Sequence, residues 1–132
     1  MMMTRPCFLV IDNQYPGSIS ARKLVIETAQ LNVLTAYSAQ EALELFSRFP
    51  DVNGIVLDTE IAGIPCRKLI EKLRQIRDDI PVVSVSPSGQ DRCGGEQYQV
   101  SSYEPQMLLD QLRHICGQKT KQAIKENEKS NE

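Results

Sequence analysis

The sequence predicts an α/β protein in which a parallel β-sheet is covered by helices on both faces. Short, continuously apolar runs alternate along the chain with stretches that are apolar on one helical face. Strands that are apolar at every position are typical of a parallel sheet buried on both sides. The 132 residues suffice for one hydrophobic core and are too few for two ordinary domains. We therefore expect a single doubly wound domain.

Five segments are predicted as strands. In chain order they are residues 7–11, 32–36, 54–57, 80–85 and 97–100. The first, third and fourth are almost entirely apolar, and the second and fifth are weaker.

Four helices are predicted between and after these strands. Their apolar residues are, helix by helix, Ile19, Leu24, Val25 and Ala29; Ala42, Leu45 and Phe46; Cys66, Leu69, Ile70, Leu73 and Ile76; and Met107, Leu108, Leu112 and Ile115. Ser38 and Glu41 form a capping box that opens the second helix. Pro105 occupies a first-turn position of the last helix. The third helix is the clearest, because its apolar residues share one face.

The interval between the fourth and fifth strands is short and polar. Residues 87–95 are rich in turn formers and carry no apolar stripe. We therefore expect the helix at this place to be shortened or absent. If the region exposes apolar surface, a homodimer formed through it is a further hypothesis.

Composition excludes several classes of function. With 15 basic and 17 acidic residues the net charge is -2, so the chain has no electrostatic footprint for nucleic acid. No apolar run approaches the roughly 20 residues of a membrane-spanning helix, and the first run is too short for a signal peptide. A cytoplasmic protein with no membrane contact is expected.

The four cysteines form no CxxC pair, so a zinc site or a thioredoxin-like redox pair has no support. We expect reduced thiols buried as small apolar groups. After Gly117 only Ala123 and Ile124 are apolar. We therefore expect residues 1–116 to form the domain and residues 117–132 to be a frayed or disordered tail.

Polar residues follow or end four of the predicted strands. They are Asp12 with Asn13, Asp58, Ser86 and Ser101. Ligands of open parallel sheets bind outside the carboxyl ends of the strands, so these side chains are the candidates for chemistry. Local structure also explains each of them, because aspartate is a common turn former and serine commonly bonds to nearby backbone.

Residues 6–116 resemble the receiver domains of bacterial response regulators. The similarity rests on the segments FLVIDNQ at 8–14, LDTEIAGI at 57–64 and YEP at 103–105, and on the register of all five strands. It implies a flavodoxin-like sheet with strand order 2-1-3-4-5. It also implies two-component signalling, in which a histidine kinase transfers a phosphoryl group to an aspartate beside a bound Mg²⁺.

The resemblance assigns roles to four residues. Asp58 matches the phosphoacceptor, and Asp12 matches the first member of the acidic pair that binds Mg²⁺. Ser86 matches the hydroxyl residue that senses the phosphoryl group. Tyr103 matches the aromatic switch position.

Two of the family's site positions are not retained in residue type. Asn13 replaces the second acid, and its amide carries no net charge to hold Mg²⁺. Weakened Mg²⁺ binding is expected, with Asp12 and Asp58 as the remaining ligands. Ser101 replaces the lysine near the end of the fifth strand, which leaves no cation there to pair with Asp58.

The leading hypothesis is a signalling module, not an enzyme, that binds a histidine kinase or a downstream signalling protein with impaired or absent phosphorylation. The alternative is a working Mg²⁺-dependent phosphoreceiver that accepts the phosphoryl group on Asp58. A flavodoxin-like cofactor binder ranks last, because residues 12–18 contain only Gly17 and no glycine-rich phosphate loop. An aspartate-nucleophile phosphatase would need an acid where Gln14 stands. His114, the sole histidine, is explained by a favourable charge near a helix end.

Overall fold

The computed structural model describes residues 5–13 and 21–130, with their side chains except at Ala21 and at residues 118–130. The strands are β1 (Cys7–Ile11), β2 (Asn32–Ala36), β3 (Gly54–Asp58), β4 (Val82–Ser86) and β5 (Tyr98–Ser101). The helices are α1 (Ala21–Thr28), α2 (Ala39–Arg48), α3 (Cys66–Ile76) and α4 (Pro105–Ser130). All strands are parallel, in the order β2-β1-β3-β4-β5. The predicted fold class and strand order are confirmed.

Each face of the sheet carries its own apolar cluster. Leu9 and Ile11 of β1 point into the cluster shared with α2 and α3. Phe8 and Val10 point the other way, into the cluster shared with α1 and α4. Successive side chains of a strand alternate between faces. The continuous apolar runs in the sequence therefore follow from burial on both sides.

The bounds of β3, β4 and β5 differ from the predicted ones by one or two residues. β1 and β2 have the predicted bounds, and β3 extends to include Asp58. β4 begins at Val82 because Pro81 has no N–H to donate to a neighbouring strand. The carbonyl of Pro81 still accepts a hydrogen bond from the N–H of Ile55.

α2, α3 and α4 begin where their caps and apolar patterns indicated, but some apolar residues face solvent. Ser38 caps α2, and its hydroxyl accepts a hydrogen bond from the N–H of Glu41 at 3.1 Å. In and just after α1, Ile26 is buried and the predicted residues Val25 and Ala29 are half-buried, whereas Leu24, also predicted to face inward, is 53% exposed. Ile76 and Met107 are also exposed, and Ile19 lies outside the described residues.

A loop without a helix joins β4 to β5, as predicted. Its exposed residues are polar apart from Pro87 and Gly95, and Cys93 is buried. The apolar surface on which the homodimer hypothesis depended is therefore missing from this loop, and that hypothesis loses its support.

A disulfide joins Cys66 and Cys93, whose Cα atoms are 5.3 Å apart. The expectation of reduced thiols is therefore wrong for this pair. The two residues are 27 positions apart in the sequence. Their spacing gave no signal, because only the fold brings the start of α3 to the β4–β5 loop.

α4 continues through Ser130, so residues 117–130 of the segment predicted to be a frayed or disordered tail are helical in the structure, and residues 131–132 lie outside the described residues. The reason is intrinsic propensity. No proline or glycine follows Gly117, and Gln, Lys, Ala and Glu are good helix formers. The domain boundary after residue 116 stays a prediction. No helix in the described ranges is long and apolar enough to cross a bilayer.

Candidate functional site

The predicted site residues meet at the carboxyl edge of the sheet. Asp12 follows β1, Asp58 ends β3, and Ser86 and Ser101 end β4 and β5. The strand register places Asp58 beside Val85 and Ser86 beside Ser101. Parallel strands all present their carboxyl ends at one edge, so residues far apart in sequence form a single site here.

An arginine that the sequence analysis missed lies between the two aspartates. Nη1 of Arg22, in the first turn of α1, is 2.9 Å from Oδ1 of Asp12 and 2.9 Å from Oδ2 of Asp58. Ser101 supplies no cation, as expected, but Asp58 has a cationic partner elsewhere that the sequence analysis did not identify. The cation comes from α1 rather than from β5, where Ser101 stands in place of the family's lysine.

This cluster is largely shielded from water. The exposed fractions of the side chains are 18% for Arg22 and 5% for Asp12, and 14% for Asp58. Attraction between opposite charges is stronger in such surroundings than at an open surface, where solvent screens it. A guanidinium does not lose its proton in proteins, so its charge is a permanent part of the site.

The aspartate oxygens have further partners. Oδ1 of Asp12 also accepts the N–H of Asn13 at 2.8 Å, and Oδ1 of Asp58 accepts the N–H of Glu60 at 2.8 Å. Both carboxylate oxygens of Asp58 are thus engaged, one by a cation and one by backbone. The Asn13 residue itself is exposed.

The residues present do not fit a Mg²⁺ site of the receiver type. Mg²⁺ binds carboxylate oxygens and retains several waters in octahedral geometry. Here Arg22 stands between the carboxylates of Asp12 and Asp58, and its charge repels a divalent ion. Within residues 5–13 and 21–130, no three His, Cys, Asp or Glu side chains gather as a metal-binding group.

The two serines at the ends of β4 and β5 bind the adjacent loop. Oγ of Ser86 accepts the N–H of Gly89 at 3.0 Å, and Oγ of Ser101 donates to the carbonyl of Pro87 at 2.8 Å. Gly89 has a φ of +75°, and a Cβ there would lie 3.0 Å from the backbone nitrogen of Ser101. Both hydroxyls therefore help to close a tight turn beside the aspartates.

The remaining candidates lie at the rim of the site or far from it. Tyr103 is 79% exposed on the turn between β5 and α4, and its ring is not buried at the switch position. His114 packs edge-on against Tyr98, with ring centroids 6.0 Å apart. Tyr98 begins β5, so His114 lies toward the opposite edge of the sheet. Gln14 and Gly17 fall outside the described residues.

A small cavity opens beside Arg22, between α1, β5 and the start of α4. Its volume is about 70 Å³, and Val25, Val85 and Leu108 form its apolar part. Pockets for drug-sized ligands and cofactors usually measure about 300–1,000 Å³. This cavity is therefore too small to hold a flavin or a dinucleotide.

Comparison with solved structures identifies the fold as that of receiver domains. A response regulator receiver domain from Clostridium thermocellum superimposes with a TM-score of 0.76 at 18% identity, covering 87% of this chain and 97% of that one. A CheY-like receiver domain protein from Methanospirillum hungatei JF-1 gives a TM-score of 0.74 at 17% identity, covering 89% and 99%.

A third structure, the receiver domain of sensor histidine kinase PA1611 from Pseudomonas aeruginosa PAO1, gives a TM-score of 0.75 at 11% identity, covering 86% and 99%. That protein holds a magnesium ion in its active-site cleft. No protein-family profile matches the present sequence, and no curated protein matches it.

Proposed function

We propose that the chain is a receiver-like signalling module that acts by binding a protein partner, with phosphorylation of Asp58 impaired or absent. The receiver-domain fold supports the signalling role. The observation that supports impaired phosphorylation is the guanidinium of Arg22, which forms ion pairs with both Asp12 and Asp58.

The ion pair works against phosphoryl transfer in two ways. A carboxylate attacks phosphorus only when an oxygen is accessible and the phosphoryl charge is neutralised, usually by metal ions. Each oxygen of Asp58 must release its own partner before it attacks, which is Arg22 for Oδ2 and the N–H of Glu60 for Oδ1. The pocket also carries its own positive charge, which lowers its attraction for Mg²⁺.

The proposed partner is a histidine kinase or a downstream signalling protein of a two-component system, and the proposed location is the cytoplasm. Neither catalysis nor direct binding of nucleic acid is part of the proposal. We place the contact surface at the carboxyl edge of the sheet, where Tyr103 is 79% exposed. A tyrosine ring combines a large apolar surface with a hydroxyl and is favoured at protein interfaces.

A second candidate is a phosphoreceiver that accepts a phosphoryl group on Asp58. Arg22 also favours this function, because a cation 2.9 Å from Oδ2 of Asp58 would neutralise phosphoryl oxygens after a change of partner. The two candidates differ in one measurable property, which is whether Asp58 forms an acyl phosphate.

Intact-mass spectrometry separates the two candidates. Wild type, Asp58→Asn and Arg22→Gln are incubated with Mg²⁺ and acetyl phosphate, alongside a receiver domain of known activity, and circular dichroism checks each fold. We expect no phosphoryl adduct on the wild type. An adduct on the wild type that Asp58→Asn abolishes would reject the proposal and establish the phosphoreceiver.

Partner binding provides the complementary test. With the cytoplasmic portion of a histidine kinase from the same organism as probe, we expect wild type and Asp58→Asn to bind with equal affinity. Tyr103→Ala should weaken binding, whereas Phe49→Ala, which also removes an exposed ring, should not. Binding that required acetyl phosphate and an intact Asp58 would contradict the proposal.

A further inference from the structure

The disulfide links two segments that both leave the carboxyl edge of the sheet. Cys66 is the first residue of α3 and follows the loop after Asp58. Cys93 belongs to the β4–β5 loop, which follows Ser86. The bond therefore connects the start of α3, which follows β3, to the loop that follows β4, on the face of the sheet that α3 covers.

Apart from the burial of Leu69, the first turn of α3 has little other stabilisation. Pro65 caps it without a side-chain hydrogen bond, and the turn contains no acidic residue. Arg67 and Lys68 place positive charge at the positive end of the helix dipole, which is unfavourable. The ion pair of Arg67 with Glu71 has side chains 73% and 59% exposed and contributes little. The disulfide is therefore a principal restraint on this turn.

The β4–β5 loop keeps anchors on both sides of Cys93 that do not depend on the disulfide. On the C-terminal side, the Glu96 carboxylate accepts the N–H groups of Cys93 at 2.7 Å and Gly94 at 2.9 Å. The guanidinium of Arg74 binds the carbonyl of Gly95. On the N-terminal side, the hydroxyl oxygen of Ser86 accepts a hydrogen bond from the N–H of Gly89. Opening the bond would release the connection to α3 without unfolding the loop.

We propose that the Cys66–Cys93 disulfide is a redox-controlled clamp, opened by a dithiol, that sets the mobility of the first turn of α3 and of the adjoining part of the β4–β5 loop. This proposal shares with the proposed function only its cytoplasmic location. Disulfides are rare in that compartment, and those of ordinary cytosolic proteins are usually transient, catalytic or redox-sensing.

The exchange follows from the exposure of the two cysteines. Cys66 is partly exposed and Cys93 is 8% exposed, so a thiolate of the reductant attacks Sγ of Cys66. Cys93 leaves as a thiolate and takes up a proton. The second thiolate of the reductant then attacks its own sulfur in the mixed disulfide and releases Cys66, which is protonated in turn. The dithiol becomes a disulfide, and its two electrons reside in the two protein thiols.

Hydrogen–deuterium exchange tests the clamp. Oxidised protein is compared with protein held in dithiothreitol without denaturant, and alkylation with mass spectrometry counts the thiols. We expect about tenfold faster amide exchange at Leu69 and Cys93 after reduction, because their N–H groups bind the carbonyl of Pro65 and the carboxylate of Glu96, with β1 and β3 unchanged. Cys66→Ser/Cys93→Ser should resemble the reduced protein in both conditions. Cys116→Ser should retain the response.

A titration in glutathione buffers tests whether the disulfide opens and closes under the redox conditions of a cell. We expect the oxidised fraction to pass from a majority to a minority across ratios of reduced to oxidised glutathione that occur in cells. A bond that resists excess dithiothreitol in the native protein would be a fixed structural link, and the proposal would fail. It would also fail if reduction left exchange unchanged, or if the protein prepared under oxidising conditions had four alkylatable thiols.

Discussion

Arg22 occupies a place in the site that the sequence alone did not reveal. The residue types at the strand ends were predictable because parallel strands align their carboxyl ends, and this rule identified Asp12, Asp58, Ser86 and Ser101. Arg22 belongs to no motif, and its role depends on the course of the chain between β1 and α1. One signal was available, since a basic residue in the first turn of a helix opposes the dipole and needs an acidic neighbour.

Removing the charge of Arg22 should destabilise the domain. Arg22→Gln leaves Asp12 and Asp58 without their shared cation, in side chains only 5% and 14% exposed. We expect the free energy of unfolding in urea to fall by about 2–4 kcal/mol, slightly below the loss for a fully buried pair. Mg²⁺ affinity, measured by calorimetry, should rise about tenfold or more, because two carboxylates become available.

Lys23→Gln is the matched control, because Lys23 pairs with Glu27 on the exposed side of the same helix. It should change stability by less than about 0.5 kcal/mol. If Arg22→Gln were as mild as this control, the ion pair would not exist in solution. The proposed function would then lose the observation that carries it.

Glu96 should make stability depend on pH. It is 5% exposed, and burial raises its pKa. The hydrogen bonds from the N–H groups of Cys93 and Gly94, together with Ser84, outweigh burial and hold the pKa below its usual value. The folded state therefore releases this proton more readily than the unfolded state. The resulting stabilisation is complete above the unfolded pKa of about 4.3 and is lost as pH falls through the folded pKa.

Glu96→Gln should be less stable than wild type by about 1–3 kcal/mol at neutral pH, because buried N–H groups lose a charged acceptor. The difference between the two proteins should shrink as the pH is lowered from about 5 to 3. Glu71→Gln, at a side chain 59% exposed, is the control and should follow wild type. Urea titrations at each pH give the comparison, and curves that stayed parallel would show that Glu96 does not carry the effect.

Among the elements, those with local signals were predicted most accurately. β1 and β2 have their predicted bounds, and Ser38 caps α2 as its capping box indicated. The errors occur where tertiary packing decides. α1 buries Ile26 instead of Leu24 because its orientation on the sheet, rather than its apolar content, sets the inward face. The β4–β5 loop was predicted to lack a helix, but its anchoring by Ser86, Ser101 and Glu96 was not foreseen.

The turn after β4 should be sensitive to a single methyl group. Gly89→Ala adds a Cβ 3.0 Å from backbone nitrogen of Ser101 at a residue whose φ is +75°. Gly63→Ala is the matched control, since Gly63 has a φ of +102° and nothing within 4 Å of an added Cβ. Both variants bear the backbone strain of about 1–2 kcal/mol, and only Gly89→Ala adds a clash.

We expect Gly89→Ala to lower the free energy of unfolding by about 1–3 kcal/mol more than Gly63→Ala, as overpacking does. Thermal and urea unfolding of the two variants give the difference. Amide exchange at Ser101 and Ser102 should also accelerate in Gly89→Ala alone, because the N–H of Ser102 binds the carbonyl of Ser86 beside this turn. Equal losses in the two variants would show that the loop is not packed against β5.

For the whole molecule, chain order and handedness reduced the possible architectures to a few. Alternating strands and helices with short connections, joined by right-handed crossovers, leave few parallel arrangements. The resemblance to receiver domains selected the order β2-β1-β3-β4-β5, which the structure shows. The contacts that distinguish this chain are long-range pairs, namely Arg22 with Asp58 and Cys66 with Cys93. Sequence spacing does not encode such pairs, so they emerged only from the fold.

Residues after Gly117 should add little to the stability of the domain, although α4 continues through Ser130. The segment contains only Ala123 and Ile124 as apolar residues. The last buried residues that the structure describes are Leu112 and Ile115, which pack against the sheet through the α1–α4 cluster. Removing residues 118–132 should therefore shift Tm by less than about 2 °C and leave the urea m-value unchanged.

A truncation after Gln111 is the contrasting variant, because it removes Leu112 and Ile115, which are 0% and 3% exposed. Each buried aliphatic side chain of this size contributes about 2–5 kcal/mol, comparable to a large part of the stability of a small domain. We expect this shorter chain to be unfolded by circular dichroism. If the truncation after Gly117 also lowered Tm by many degrees, the C-terminal part of α4 would have to pack on the domain, and the boundary after residue 116 would be wrong.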